Sequence, residues 1–403
     1  MNTAKIEGVE LKQGSELAAV KNKLGEINAL LTNSDLRGSA PSVFNAAASS
    51  LLFRLYYNQL LDLDNEKLYQ DLVEFIRGVC QETELGFTYC NGWVGFGFFL
   101  QLLIDEDFLE LETDLLEEID LIAYKFALQC FKKDNHDVLH GGLGAVHHLL
   151  YRNCSSLKVK SYLKELLYEL AGNGRTSAEG LYWPEPELFV EEELAGKKVV
   201  NLNLSHGQAS KLFVLSNYVQ NGVAKGKARK MLKAAVDFIL FYEKDNCLPT
   251  RLIDNVPEYQ HAGWCRGNLA MALALCKAAK ALEDDTLQLK AIAIGLETIN
   301  GNGESPLYEA GICHGFSGLA LMYHRFYQMT GVYSFKMAAD DWLNKTMEAA
   351  HHSDGLAGFK HWDGIQKEWR NNVALMSGIS GIGLAFLSVK FKSTLWDRIF
   401  LLG

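Results

Sequence analysis

The sequence predicts an all-α protein assembled from seven helical-hairpin repeats, and three observations predict it. A turn carrying glycine or a small polar residue, opening directly into an apolar helix rich in small side chains, recurs seven times along 403 residues. Amphipathic segments with apolar residues at helical spacing lie between the copies. The whole chain holds only six prolines, and proline removes an amide donor and breaks helix interiors.

In chain order, Gly14 to Asn33 places Leu17, Val20, Leu24, Ile27, Leu30 and Leu31 at helical spacing, which predicts an outer helix. The recurring motif then begins with Ser42-Val43-Phe44-Asn45 ahead of Ala46-Ala47-Ala48. It returns at Asn91-Gly92-Trp93, His140-Gly141-Gly142, Ser205-His206-Gly207, Cys265-Arg266-Gly267, Cys313-His314-Gly315 and Ser377-Gly378-Ile379. With Asn45, Gly92, Gly141, Gly207, Gly267, Gly315 and Gly378 as register marks, the intervals are 47, 49, 66, 60, 48 and 63 residues. Each interval has room for one outer and one inner helix. The segments Asn65 to Val79, Leu109 to Phe131, Val159 to Leu170 and Lys225 to Tyr242 read as outer helices. Glycine at the start of an inner helix lets backbones approach closely and leaves the first amides free to face a ligand, so seven helix N-termini are expected to crowd around a common mouth. Two stretches depart from the helical pattern. Residues 173–204 read as loop with short strands, an excursion expected to lie over the cleft. Residues 353–372, with His361-Trp362-Asp363 and Trp369-Arg370-Asn371, read as a second.

Composition excludes several classes of function. With 48% hydrophobic and 22% charged residues the chain can bury a large core and lacks the signature of disorder. Length alone suggests two or three domains, but the repeats run end to end, so residues 1–403 read as a single domain. A formal charge of −10 argues against a broad nucleic-acid footprint, which needs clustered cations. No stretch approaches the ~18 apolar residues of a membrane span, and Met1 to Gly14 has no apolar core of signal-peptide length. A cytoplasmic protein without stable membrane insertion is expected.

Eight cysteines without tight spacing point, in a reducing compartment, to metal binding or buried thiols rather than disulfides. Cys80, Cys130, Cys154 and Cys276 lie in helix-like runs and read as small buried hydrophobes; Cys90 and Cys247 are left open. Cys265 and Cys313 stand apart, each in a repeat turn just ahead of a glycine. With His314 they offer two sulfurs and one nitrogen. Zinc is bound by Cys and His, and catalytic zinc keeps three protein ligands with a fourth position open. The count therefore fits a catalytic site better than a closed structural one, with two buried thiols and a core histidine as the alternative.

The chain resembles the lanthionine synthetase C-like cyclases, which close thioether rings in lanthipeptides. The resemblance covers nearly the whole length. It rests on the Trp264-Cys265-x-Gly267, Cys313-His314-Gly315 and Ser205-His206-Gly207 turns, the Asp137-Val138-Leu139 run before the third repeat, and the closing Trp396-Asp397-Arg398 to Leu401-Leu402. It implies an α/α toroid with zinc at its centre on Cys265, Cys313 and His314, and catalytic roles for His206 and Asp137. One residue departs from the family pattern: His261 stands four residues before the first zinc cysteine, where these cyclases typically carry an arginine that stabilises the enolate. His261 is a catalytic candidate that can only in part donate a hydrogen bond to a substrate carbonyl or enolate, because unlike arginine it is not always charged; Arg251 or Arg266 are alternative sources of the missing charge.

The implied reaction adds a peptide cysteine to dehydroalanine or dehydrobutyrine. It needs a thiolate, which a metal supplies because a coordinated thiol is deprotonated, and an acid–base group near neutral pH, which histidine supplies. His206 is the acid–base candidate and Asp137 its helper, although His206 also reads as a cap or core histidine and Asp137 as an N-cap or loop carboxylate. His140, His147 and His148 read as structural or mouth-facing. Two other functions remain open: addition of glutathione to dehydrated residues, as the resemblance implies for eukaryotic relatives, and a non-catalytic zinc-containing scaffold for a dehydratase and its peptide. A hairpin-toroid glycosidase ranks last, since no paired acids stand at equivalent repeat starts. No P-loop, kinase, lyase or dehydratase signature stands out, so the expected partners are a dehydrated precursor peptide and a separate dehydratase.

Overall fold

The computed structural model describes residues 3–34, 41–82, 84–111, 113–152, 156–259, 263–265, 267–300, 309–391 and 394–403. Its helices come in pairs, an outer followed by an inner one: α1 (Thr3–Asn33) and α2 (Ala46–Leu61), α3 (Glu66–Gln81) and α4 (Trp93–Asp105), α5 (Thr113–Phe131) and α6 (Gly142–Tyr151), α7 (Leu157–Asn173) and α8 (Gln208–Gln220), α9 (Lys225–Phe241) and α10 (Asn268–Leu282), α11 (Asp285–Asn300) and α12 (Phe316–Thr330), α13 (Tyr333–Glu348) and α14 (Ile379–Lys390). Outer helices bury one stripe, such as Leu68, Leu72 and Val79 of α3. Inner helices are buried nearly all round, as from Leu269 to Ala279 of α10, because each packs on an outer helix and on other inner helices. The circle closes where α14 packs against α2. The fold is thus an α/α toroid of seven hairpins, as expected.

The seven turns that open the inner helices are laced to one another. Ser42 Oγ donates to Tyr89 O at 3.1 Å, Cys90 N to Leu139 O at 2.9 Å, Trp264 N to Cys313 O at 3.1 Å, Cys313 N to Met376 O at 2.9 Å and Leu375 N to Phe44 O at 3.3 Å. Ser205 Oγ reaches Cys265 O at 3.1 Å. Small residues permit the close packing: a Cβ on Gly318 would stand 1.9 Å from Ile312 O. Among the glycines that cap the N-termini of the inner helices, Gly267 alone sits at positive φ, 125°.

The excursions form short sheets. The first holds the hairpin β1 (Arg175–Ser177) and β2 (Gly180–Tyr182), two 3₁₀ turns and β3 (Val199–Asn201). β3 pairs antiparallel with β4 (Arg251–Ile253), which pairs with β5 (Val256–Glu258). The β4–β5 hairpin was not expected. Its signal is Asp254-Asn255, both at positive φ as a type I′ turn requires, between strands of only three residues. The second excursion forms β6 (His361–Asp363) and β7 (Glu368–Arg370).

Two other expectations change. Helix α1 begins at Thr3 rather than Gly14, because the charged residues before Gly14 favour helix without showing an apolar period. Cys80 is exposed, on the outward side of the last turn of α3, whereas Cys130 and Cys276 are buried. Cys154 lies outside the described residues.

The segment after α14 fills the inside of the ring. A 3₁₀ turn, Trp396–Phe400, buries Trp396, Ile399 and Phe400. Tyr89 Oη donates to Ile399 O at 3.1 Å, His147 Nε2 stands 3.0 Å from Arg398 O, and Trp264 Nε1 donates to Phe400 O at 2.8 Å. Asp397, fully buried, pairs with Arg325 of α12. Removing one partner of a buried ion pair strands the other charge. Arg325→Met should therefore lower the unfolding free energy in urea by about 3–5 kcal/mol, and Arg325→Met/Asp397→Leu should recover most of that loss; equal loss in both variants would show that the pair does not anchor the segment.

Candidate metal centre and its acid–base pair

The lacing of the turns decides which side chains meet. The residue two places before the helix cap is Cys90, Leu139, Ser205, Cys265, Cys313 and Met376 in the second to seventh turns. Cys265 N lies 3.5 Å from Cys313 O, so these two backbones are neighbours and carry two thiols to one place. His314 follows Cys313 directly. The ligand atoms of Cys265, Cys313 and His314 all lie within 4.8 Å of one another, and Cys313 Sγ stands 3.8 Å from His314 Nε2. Donors on a tetrahedral zinc stand roughly 3.3–3.8 Å apart, given bond lengths of about 2.0–2.3 Å. Two thiols, an imidazole and this spacing fit zinc; both cysteines are buried and His314 is exposed, so the cluster opens to solvent on one side.

The lacing continues into an ionisable pair. Between the third and fourth turns, His206 Nδ1 lies 2.6 Å from Asp137 Oδ2, while Asp137 Oδ1 accepts the amide of His140 at 2.7 Å. The sequence candidates His206 and Asp137 are thus in contact, and Ser205, next to His206, bonds to Cys265. The Asp137 side chain is 1% exposed and that of His206 36%. Burial pushes Asp137 up, but the hydrogen bond and charge of His206, the His140 amide and Lys211 together hold its carboxyl below the ordinary range. Burial pulls His206 down, but Asp137, with help from Glu185, holds its imidazolium above the ordinary value. Asp137 occupies Nδ1, which leaves Nε2 as the nitrogen that exchanges protons.

His206 lines a cavity of about 240 Å³ whose wall is largely the first excursion, including Glu185, Phe189, Glu191 and Asn201. Eight of the residues that line it, from Glu185 to Asn203, belong to residues 173–204. Gln208 holds this excursion there, with Nε2 donating to Trp183 O at 2.6 Å and Oε1 accepting Trp183 N at 3.2 Å. Arg251 also lines the cavity, but its Nε donates to Glu258 at 2.6 Å and its Nη1 to Glu191 at 3.2 Å, so its charge is already matched by two carboxylates. His261 and Arg266 lie outside the described residues.

Sequence reasoning missed two groups behind the pair. Lys211, fully buried in α8, donates from Nζ to His206 O at 3.1 Å; burial pushes it down to about 8 against the pull of Asp137 and Glu185. Glu185 accepts from Asn201 Nδ2 at 3.3 Å, and burial raises its carboxyl. A lysine amid an apolar inner helix was the available signal for the first; the second has none, because it sits in the irregular excursion. His147 and His148 are buried and structural, His148 Nε2 lying 3.1 Å from Asp120 Oδ1.

A family profile described as "Lanthionine synthetase C-like protein" matches residues 45–401. Among solved structures, "Nisin cyclase" superposes with a TM-score of 0.73 at 18% sequence identity, covering 95% of this chain and 97% of that one. That likeness shows the toroidal fold. "Crystal structure of sugar epimerase from ruminal bacterium" aligns with a TM-score of 0.46 at 12% identity, over 85% of this chain and 100% of that one. No curated protein sequence matches.

The Asp137–His206 pair makes stability depend on pH in a defined direction. His206 is held above its unfolded value of about 6.5, so its contribution is complete below that value and is lost as pH rises through the raised one. Asp137 is held below its unfolded value of about 3.9, so its contribution is complete above that value and is lost as pH falls through the depressed one. The stability difference between wild type and His206→Asn, followed by urea denaturation from about pH 3 to 9, should peak between about pH 4 and 6.5. A difference that does not vary with pH would mean that the two groups are not paired as ions.

Proposed function

The chain belongs to the lanthionine synthetase C-like family, and from that premise we propose that it closes thioether rings in a peptide. Cysteine thiolates of a dehydrated precursor add to dehydroalanine or dehydrobutyrine, giving lanthionine or methyllanthionine. The observation that carries the reading is the meeting of Cys265, Cys313 and His314 on one pair of bonded turns, beside a hydrogen-bonded His206–Asp137 pair.

Zinc held by these three residues would keep a substrate thiol in its nucleophilic, deprotonated form. The chain's own groups do the rest. Asp137 fixes the ring and tautomer of His206 through Nδ1 and stabilises its charged form. Asp137 favours the charged form of His206, which suits it to deliver a proton to the α-carbon after addition. Phe189 and the rest of the first excursion cover the cavity beside it, where exclusion of water strengthens such interactions. The dehydrated peptide is the substrate, a separate dehydratase its source, and a reducing, cytoplasmic setting suits a two-thiolate site. On this reading residues 1–403 act as one domain. Among the described residues, no helix is long and apolar enough to cross a membrane.

Elemental analysis of the purified wild type beside Cys313→Ala, without added metal, is expected to show about one zinc per chain, lost in the variant. A metal-free wild type, with loss during purification ruled out, sinks the catalytic reading. Incubation with dehydrated peptide should give rings, read as loss of alkylatable thiols at constant mass, whereas a glutathione adduct would mark the other thiol-addition chemistry. His206→Ala should retain zinc and lose at least about a hundredfold in turnover, the usual scale of acid–base catalysis; unchanged turnover would remove His206 from the reaction.

A further inference from the structure

The thiol brings a proton that must leave, and His206, bound through Nδ1 to Asp137, which favours its charged form, is poorly placed to take it. A second imidazole stands next to it. His140 and His206 hold the same register, the residue just before the cap glycine, in the third and fourth turns. Their rings are nearly parallel, 12° apart, with centroids separated by 6.3 Å. Phe189 lies 6.2 Å from each, so the first excursion covers both. Rings this close can serve one reacting group, or exchange a proton through one water.

We propose, on the reading above, that His140 is a second catalytic imidazole: the base that takes the proton of the attacking thiol while His206 delivers one to the α-carbon. One carboxylate sets the two apart. Asp137 gives Oδ2 to the ring of His206 but Oδ1 only to the backbone amide of His140. Burial, opposed by Asp137 and reinforced by the charge of His206, holds His140 below its ordinary value; the groups facing His206 are Asp137, Glu185 and Lys211. Two titratable groups pushed apart by their surroundings divide acid and base roles. The S–H proton passes to the free ring nitrogen of His140, and the sulfur pair forms the C–S bond at the β-carbon. The π pair moves to the α-carbon, which takes a proton from His206. Water then carries the proton from His140 back to His206, restoring both.

Two measurements on the zinc-loaded full chain test this. Imidazole NMR titration of the wild type should place His140 below about 6.5 and His206 above it; the reverse order overturns the proposal whatever the reaction. Rates of thiol addition to dehydrated peptide are then compared across pH for wild type, His140→Phe and His140→Gln. Phenylalanine preserves the stack and lacks the nitrogen. Both variants should lose about a hundredfold near neutral pH and lose the acidic limb of the profile, with the rate rising instead toward high pH as hydroxide replaces the base. A His140→Phe enzyme within about twofold of wild type, acidic limb intact, overturns the role of His140 while leaving the cyclase reading in place. A wild type that adds no thiol at any pH overturns both.

Discussion

The constraint on which this structure depends is the lacing of the seven inner-helix turns. Helices alone would pack into a ring with slack between neighbours, because apolar contacts are not directional. Backbone donors and acceptors in the turns must find partners once buried, and they find them in the next turn. Cys90 reaches Leu139, Cys313 reaches Met376, and Leu375 reaches Phe44 and closes the circle. The turns thereby hold a fixed height and rotation, and the side chains beside each cap glycine acquire defined neighbours. The Cys265–Cys313–His314 cluster follows from this: Trp264 and Cys265 amides face the carbonyl of Cys313, so two thiols that are 48 residues apart in sequence come within 4.8 Å of each other.

One junction joins two side chains. Between the third and fourth turns the bridge is the side-chain pair Asp137–His206. The same contact that continues the lacing therefore biases the protonation of a half-buried imidazole. Its neighbourhood is charged and largely buried, with Asp137, Glu185 and Lys211 packed around it. Such groups are costly to bury unless paired, and here each moderates another: Lys211 stays cationic because of the two carboxylates, and Asp137 stays anionic because of His206 and Lys211. The cluster is self-consistent only as a whole, which ties the excursion carrying Glu185 to the third and fourth turns.

Much of this was legible in the sequence because it is periodic. Glycines crowded at helix starts announced the turns, and Cys265, Cys313-His314 and Ser205-His206 announced themselves as polar or metal-binding residues in an otherwise apolar register. Asp137 was readable only through family resemblance, since its place two residues upstream of Leu139 has no periodic signature. The β4–β5 hairpin escaped because three-residue strands are too short for alternation to show. Lys211 escaped because a single lysine in a helical run usually marks a solvated face, and only the ring geometry buries it. Cys80 erred in the other direction: a thiol at the end of an amphipathic helix lies on whichever side the last turn presents.

The scaffold is sevenfold, yet the chemistry occupies one arc, and the repeat lengths mark it. The first two intervals are 47 and 49 residues, and the first two turns carry neither the Cys265–Cys313–His314 donors nor the Asp137–His206 pair. The intervals that lead into the fourth, fifth and seventh turns are 66, 60 and 63, and the added residues are the first excursion, the β4–β5 hairpin and the β6–β7 hairpin. These insertions lie between an outer helix and the next turn, on the face where the turns meet. The first supplies Phe189 and Glu185 to the cavity; the last sets His361 Nδ1 2.7 Å from Glu309 Oε2, four residues before Cys313. Insertions elsewhere would leave the lacing intact and change nothing near the donors. Placed here, they add walls to the arc that holds the thiols and imidazoles, and break the sevenfold symmetry of the mouth.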